Sequence, residues 1–183
     1  MNKSETRAYL KEKRESLLDR KDKNNKILEK LTECPEVVLA SSIFCYLSTN
    51  LEAQTDQFIL WCLQNRKTIL VPKIIDGDIY PVEIDSLNNL EKNNFGIREP
   101  GALSNVFTNK IDVIVIPGLG FDKKKQRIGY GKGHYDKYFA RENRMLGMTI
   151  KIGLCFSELV LEEIPTEEHD FGVDILISED LIF

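Results

Sequence analysis

The chain is expected to be an α/β protein, a single layered domain over residues 1–183 with a largely parallel sheet flanked by helices. Three observations carry that expectation. Short runs rich in β-branched residues recur and are nearly free of charge, as strands covered on both faces are: "VVLASSIFCYL", "TILVP", "IDVIVIP", "KIGLCF" and "VDILIS". Segments with helical spacing of apolar residues lie between them. A hydrophobic content of 42% over 183 residues is enough for one core.

Taken in order, residues 3–31 read as helix. No Gly or Pro occurs before Pro35, and apolar residues fall at Leu10, Leu17, Leu18, Ile27, Leu28 and Leu31. The polar run "DRKDKNNK" is where this helix would divide. Residues 37–47 read as one buried strand, followed by the polar loop "STNLEAQ". Residues 55–66 read as a helix N-capped by Thr55. "TILVP" is a strand stopped by Pro72, and "DGDIYPVEI" a turn with a short exposed strand. Residues 85–110, which contain "NNFGIREPG", are rich in loop. Residues 111–117 give the strongest strand signal of the chain. "HYDKYFAREN" is a helix, "KIGLCF" a strand, "SELVLEEI" one or two helical turns, and "VDILIS" the last strand.

In sheets of this kind ligands bind outside the carboxyl ends of the strands. Two loops directly follow the two best strands, "STNLEAQ" and "PGLGFDKKKQRIGYGKG", and these are the expected ligand loops. The second is unusual in composition. Gly118, Gly120, Gly129, Gly131 and Gly133 alternate with lysines and Arg127 just before a helix.

The formal net charge is −4, which argues against a general polyanion or membrane surface. Its distribution is uneven: residues 120–141 carry +5 and residues 1–30 carry +4, leaving −13 for the rest. Two basic segments on an acidic protein point to a focused anion site. Cys34, Cys45, Cys62 and Cys155 show no C-x-x-C or metal-finger spacing, and at least three lie in apolar runs. With no signal-type N-terminus and no apolar run of membrane length, the expected setting is the reducing cytoplasm.

A helix N-terminus offers unpaired N–H groups and partial positive charge to a phosphate, and glycine lets the backbone approach it. Arg127 and Lys132 would add formal charge. The loop matches neither the Walker pattern nor the dinucleotide fingerprint. A solvated basic hairpin is the competing reading, against which Tyr130, Tyr135, Tyr138 and Phe139 offer stacking surfaces. If Gly131 opens the helix, Lys132 and Asp136 share a face. Asp136 suits Mg²⁺, which takes one or two carboxylates together with phosphate oxygens. Asp170 or Asp174 supplies a second acid.

"PGLGFDKKKQRIGYGKGHYDKYF" resembles the central motif of the 5-formyltetrahydrofolate cyclo-ligase family, roughly P-G-x-x-F-D-x-x-G-x-R-x-G-x-G-x-G-Y-Y-D. "KSETR", "CYLSTNLEAQT", "GIREP" and "HDFGVDILIS" extend the likeness along the whole chain. Two positions depart from the pattern. Lys125 replaces a glycine, so its turn is expected to close differently, and His134 replaces an aromatic residue whose stacking it can imitate.

The resemblance implies an ATP- and Mg²⁺-dependent cyclisation of 5-formyltetrahydrofolate to 5,10-methenyltetrahydrofolate, with release of ADP and phosphate. It implies ATP contacts at Lys3, Arg7, Arg127, Ile128, Gly129, Tyr130, Gly131, Lys132, Gly133, His134 and Tyr135. The folate is implied against Leu47, Glu52, Tyr130, Gly131, Lys132, Gly133 and His134, and Mg²⁺ between Asp136 and Asp174. Arg127 and Lys132 are the implied catalytic residues. Phe58 and Trp61 read as core, and His169 as structural. The expected partners are folate and ATP, with no nucleic acid or membrane, and the expected state is a monomer. A sugar-phosphate isomerase or transferase, needing no ATP, is the rival enzyme reading. A nucleotide- or nucleic-acid-binding module is the non-enzymatic one.

Overall fold

A computed structural model of the chain describes residues 1–92, 97–101, 105–142 and 147–183. Among the described residues, four of the five strands that pair in parallel in the largest sheet are β1 (Ser42–Cys45), β6 (Val113–Ile116), β9 (Ile150–Leu154) and β11 (Ile175–Ile177). With β2 (Thr68–Ile75) and β3 (Asp78–Glu83) they form a sheet of order β11-β9-β6-β1-β2-β3. Only the β2–β3 pair is antiparallel within that sheet. The α/β architecture with a mostly parallel sheet is as the sequence predicts.

Among the described residues five helices accompany the sheet: α1 (Lys3–Glu15), α2 (Arg20–Glu33), α3 (Pro35–Leu39), α4 (Asp56–Gln64) and α5 (His134–Glu142). The long N-terminal helix does divide, at residues 16–19, where Asp19 takes a left-handed φ of 54°. Asn2 starts α1 with a reciprocal cap. Its side chain accepts from Ser4 N and Glu5 N, and Glu5 accepts from Asn2 N. Lys3 and Arg7 therefore begin on a fixed first turn.

Several expected boundaries move, each for a local reason. The run 37–47 is not one strand, because Pro35 sits at the first helical position and opens α3, leaving only Ser42–Cys45 as β1. Thr55 precedes α4 without capping it. Its hydroxyl instead donates to Tyr46 O (2.8 Å) and accepts from Ser48 N, closing the loop after β1. Pro72 does not stop β2. Ile84 N donates to Ile69 O, which puts Pro72 opposite Pro81 at a non-hydrogen-bonded pair, so neither missing N–H is lost from their ladder. The Asp76–Gly77 turn has φ of 50° and 86°, and the strand after it is half-buried rather than exposed. "SELVLEEI" gives one 3₁₀ turn (Ser157–Leu159) and then β10 (Val160–Leu161). Within residues 85–110 a second 3₁₀ turn (Leu87–Asn89) precedes the hairpin β4 (Leu90–Lys92) and β5 (Arg98–Pro100). Residues 93–96 of "NNFGIREPG" and Asn143 of the predicted helix lie outside the described residues.

The glycine–lysine loop contains structure of its own. β7 (Gly120–Asp122) and β8 (Arg127–Ile128) form a hairpin, with β10 paired to β7. The fully buried Asp122 organises the turn, accepting from Lys124 N and Gln126 N (2.9 Å each) and from Ile164 N. Gly120 packs so tightly that an added Cβ would stand 2.6 Å from Leu159 O and 2.8 Å from Leu10 Cδ1. Lys125 adopts φ 63°, the left-handed conformation that a glycine takes without strain.

All four cysteines are buried and unpaired, and burial pushes the Cys62 thiol up to about 12. The native protein should therefore resist a thiol reagent at pH 8, and the unfolded chain should titrate four thiols. Lys125→Gly should be more stable than Lys125→Ala by about 1 kcal/mol in chemical denaturation, because only alanine retains the left-handed penalty.

Candidate active site

β1 and β6 are parallel neighbours, but the chain continues from β1 through α4 to β2 and from β6 toward α5 and β9 on the other side. Connections that diverge in this way open a crevice at the carboxyl ends of the two strands. A cavity of about 1360 Å³ lies there. Its lining includes Tyr46, Leu47 and Glu52 after β1, and Pro117 and Arg127–Asp136 after β6. Lys3 and Arg7 of α1 and Glu167–Phe171 excluding Glu168 and including His169 close it. Pockets for one small ligand run to about 300–1,000 Å³, so this cavity is larger than a single small ligand needs.

At the basic end, Arg127 is buried and its Nη2 meets Asp136 Oδ1 at 2.6 Å. Phe171 N also reaches Asp136 Oδ1, at 3.4 Å, which brings the neighbouring Asp170 to the same wall. Lys3 Nζ lies 2.6 Å from Asp170 and 3.0 Å from Glu167. Burial works against both charges, but the hydrogen bonds and mutual attraction outweigh it, so Lys3 is raised and Asp170 lowered. Arg7 Nε donates to Gly129 O at 3.0 Å, tying the first helix to the loop. Ile128 is buried in this strand end, while Gly131 and Gly133 have φ of 99° and 67°. Any side chain would be strained at those two positions.

At the other end, Leu47, Pro72, Ile74 and Ile79 give apolar wall. Glu52 is buried in that wall and accepts from the Tyr130 hydroxyl at 2.7 Å. Burial and then the Glu52 charge raise the Tyr130 phenol well above its ordinary range, so it keeps its proton and donates.

Lys3, Arg7, Leu47, Glu52, Arg127–Asp136 all line this one cavity. Asp174 does not. It immediately precedes β11, at the amino end of a parallel strand, and its carboxylate holds Lys151 N (2.7 Å) and Lys151 Nζ (2.8 Å). The acid that the fold brings beside Asp136 is Asp170. The strand-end rule already contained the signal, since a residue at a strand's start faces the wrong edge for a ligand. Lys132 and Asp136 do not share a helical face either. α5 begins at His134, leaving Lys132 in the loop, and Asp136 pairs with Arg127.

Tyr138 and Phe139 are core rather than stacking surfaces, 3% and 1% exposed, and Tyr138 packs edge-on to Phe44. Phe58 is core as expected, stacked on Trp61. His169 lines the cavity with its ring 3.2 Å from Glu167. Sequence reading gave no part to Pro117, Lys137 or Phe171, which also line the cavity and carry no local chemical signature. Among the described residues, four buried polar side-chain atoms lack a partner: Arg14 Nε, Arg127 Nε, His134 Nδ1 and Tyr135 Oη. Three of them belong to cavity-lining residues, where a ligand can satisfy them. His134 is lowered by burial and then by Lys132, so its ring is neutral at pH 7 and can accept or donate one hydrogen bond.

A family model for the 5-formyltetrahydrofolate cyclo-ligase family matches residues 1–179. The chain belongs to the 5-formyltetrahydrofolate cyclo-ligase family. Among its relatives, a 5-formyltetrahydrofolate cyclo-ligase of Mus musculus is 32% identical over 151 residues, covering 75% of this chain and 73% of the relative. A probable 5-formyltetrahydrofolate cyclo-ligase of Caenorhabditis elegans is 30% identical over 164 residues, covering 84% and 80%. The solved 5,10-methenyltetrahydrofolate synthetase of Aquifex aeolicus superposes with a TM-score of 0.82 at 27% identity, covering 100% of this chain and 92% of that one.

The donor set fits a magnesium ion. Asp136 and Asp170 place hard carboxylate oxygens on one wall, of the kind that would hold such an ion, and both described hydrogen bonds of Asp136 fall on Oδ1 alone. Arg127 is almost completely buried, so losing its partner leaves an uncompensated charge. Asp136→Ala should cost about 3 kcal/mol in denaturant unfolding. Asp136→Asn, whose amide oxygen still accepts from Arg127, should cost clearly less.

Proposed function

We propose that this chain closes 5-formyltetrahydrofolate to 5,10-methenyltetrahydrofolate, consuming ATP and releasing ADP and phosphate. The observation that carries the reading is one cavity with two chemically distinct ends. Lys3, Arg7, Arg127 and the glycine loop before α5 suit a polyphosphate, and Glu52 in an apolar wall suits the N–H edge of a pterin. Family membership agrees with both halves. A sugar-phosphate enzyme has no use for the second end.

The reaction needs N10 to attack the formyl carbon on N5 and the formyl oxygen to depart. That carbon is an amide carbon, deactivated by resonance. Holding N10 against it can offset roughly 7–11 kcal/mol of a barrier, but does nothing for the leaving group. Transfer of the terminal phosphoryl group to the formyl oxygen converts it into a phosphate leaving group. N10 then forms its bond to the carbon and gives up its proton, and the C–O bond breaks, the proton and the oxygen leaving together as hydrogen phosphate.

The roles of the chain's own groups follow from their positions. Arg127 and Lys132 stabilise charge on the transferring phosphoryl oxygens, and Lys3 and Arg7 hold the rest of the phosphate chain. Gly131 and Gly133 let the backbone approach it. Glu52 and Leu47 orient the folate, and Tyr130 and His134, which line the same cavity, are assigned to both ligands. Mg²⁺, when bound by Asp136 and Asp170, would neutralise phosphate charge during the transfer. Arg127 and Asp136 neutralise one another without ligands, and Lys3 and Asp170 do the same.

The direct test is ATP-dependent appearance of the methenyl chromophore in the near ultraviolet. With ¹⁸O in the formyl group, label should appear in released phosphate. Label in water instead would exclude phosphoryl transfer to that oxygen. Lys132→Ala should lower turnover on the order of a hundredfold, as loss of one charge-stabilising donor does. Asp136→Asn and Asp170→Asn should each raise the Mg²⁺ needed for half-maximal rate, measured by Mg²⁺ titration. Asp174→Asn should leave that titration unchanged.

A further inference from the structure

Arg14 is not among the described residues that line the cavity, yet it organises one end of it. It occupies the apolar stripe of α1, one turn after the fully buried Leu10, and is itself 3% exposed. A charged residue in such a stripe is the sequence signal that marks it. Nη2 donates to the carbonyl oxygens of Gly118 and Leu119, the latter at 3.0 Å. Nη1 donates to the Tyr130 hydroxyl oxygen, and the guanidinium lies 5.6 Å from the centre of that ring.

A guanidinium has donors only, whereas a phenol has one proton and can turn. With Arg14 feeding its oxygen, Tyr130 has its single proton committed to Glu52 Oε1, at 2.7 Å. Glu52 Oε2 already accepts Thr49 N (2.8 Å) and Thr49 Oγ1 (2.9 Å). Each carboxylate oxygen takes about two donors. Oε2 is therefore filled, and among the described residues Oε1 accepts from Tyr130 alone, which leaves one acceptor site in a residue that lines the cavity.

We infer that Arg14 is a positioning residue for substrate specificity: through Tyr130 it sets Glu52 to present a single acceptor to an N–H donor on the folate's pyrimidine ring. The inference rests on the function proposed above. A purely structural Arg14, bolting α1 to the carbonyls of Gly118 and Leu119, would affect stability but not the choice or affinity of folate.

A double-mutant cycle separates the two roles. KM for 5-formyltetrahydrofolate, KM for ATP, kcat and thermal midpoint are measured for the unmodified chain, Arg14→Met, Tyr130→Phe and the double variant. Each single change should raise the folate KM about tenfold, the effect of one hydrogen bond to a charged group. The double change should raise it no further than the larger single one. For Arg14→Met the loss should fall on the folate KM rather than on kcat or the ATP KM. Its thermal midpoint should drop in both backgrounds, because the Gly118 and Leu119 carbonyls lose their donor either way. Should Arg14→Met fail to fold, Arg14→Lys replaces it, with a folate KM between the two. Multiplying KM effects, or a lowered midpoint with an unchanged folate KM, would overturn the inference, as would an unaltered folate KM in Tyr130→Phe. Turnover by the unmodified chain judges the parent function separately: if it is absent, that reading falls and this one with it, and if present, the variants judge Arg14 alone.

Discussion

β1 and β6 lie side by side in parallel, and the chain leaves them in opposite directions. Almost everything else about the site depends on that divergence. Two connections that part at the carboxyl edge cannot cover the gap between them, so a crevice is built into the topology. The loop after β1 brings Leu47 and Glu52 to one side, and the loop after β6 brings Arg127 to Asp136 to the other. The flanking strands are fully buried, which makes the floor of this crevice rigid while its walls are loop.

The loops are held by specific polar anchors rather than by chance packing. Asp122 gathers three backbone N–H groups beneath the hairpin, and the Thr55 hydroxyl closes the first loop onto Tyr46. α1 then ties to the second of these loops and to the segment before β11. Arg7 takes the carbonyl of Gly129, Arg14 takes those of Gly118 and Leu119, and Lys3 reaches Asp170 from the start of the helix. A buried backbone carbonyl without a donor is costly, so these arginines satisfy the loop, and Arg7 also charges the cavity. The N-terminal helix is in this sense part of the site, though it contributes no strand to the sheet.

Charge in the cavity is arranged in opposed pairs, Arg127 with Asp136 and Lys3 with Asp170. Each pair keeps an ionised group tolerable in a part-buried wall. Each also keeps a cation and a carboxylate side by side, which is what a phosphate chain with a divalent cation requires. The same four side chains thus serve the protein without ligands and the proposed complex with them.

Much of this was legible in the amino-acid sequence because the relevant patterns are local. The uncharged β-branched runs announced a parallel sheet, and the segment Arg127–Asp136 is contiguous, so its glycines and charges reach the cavity together whatever the rest does. Boundaries were less legible where backbone chemistry competes with composition. Pro35 converted the start of an apparent strand into α3, and the pairing of Pro72 with Pro81 let β2 run past a residue that usually ends one. Only the tertiary structure separates Asp170, which lines the cavity, from Asp174, which does not. They stand four positions apart and both are aspartates near a strand, but one lies on a segment that lines the cavity and the other at the strand's amino end. Arg14 belongs to the same class, since its role rests on partners more than a hundred residues away. Local sequence sets which groups a segment carries, and the sheet's topology alone sets which of them meet.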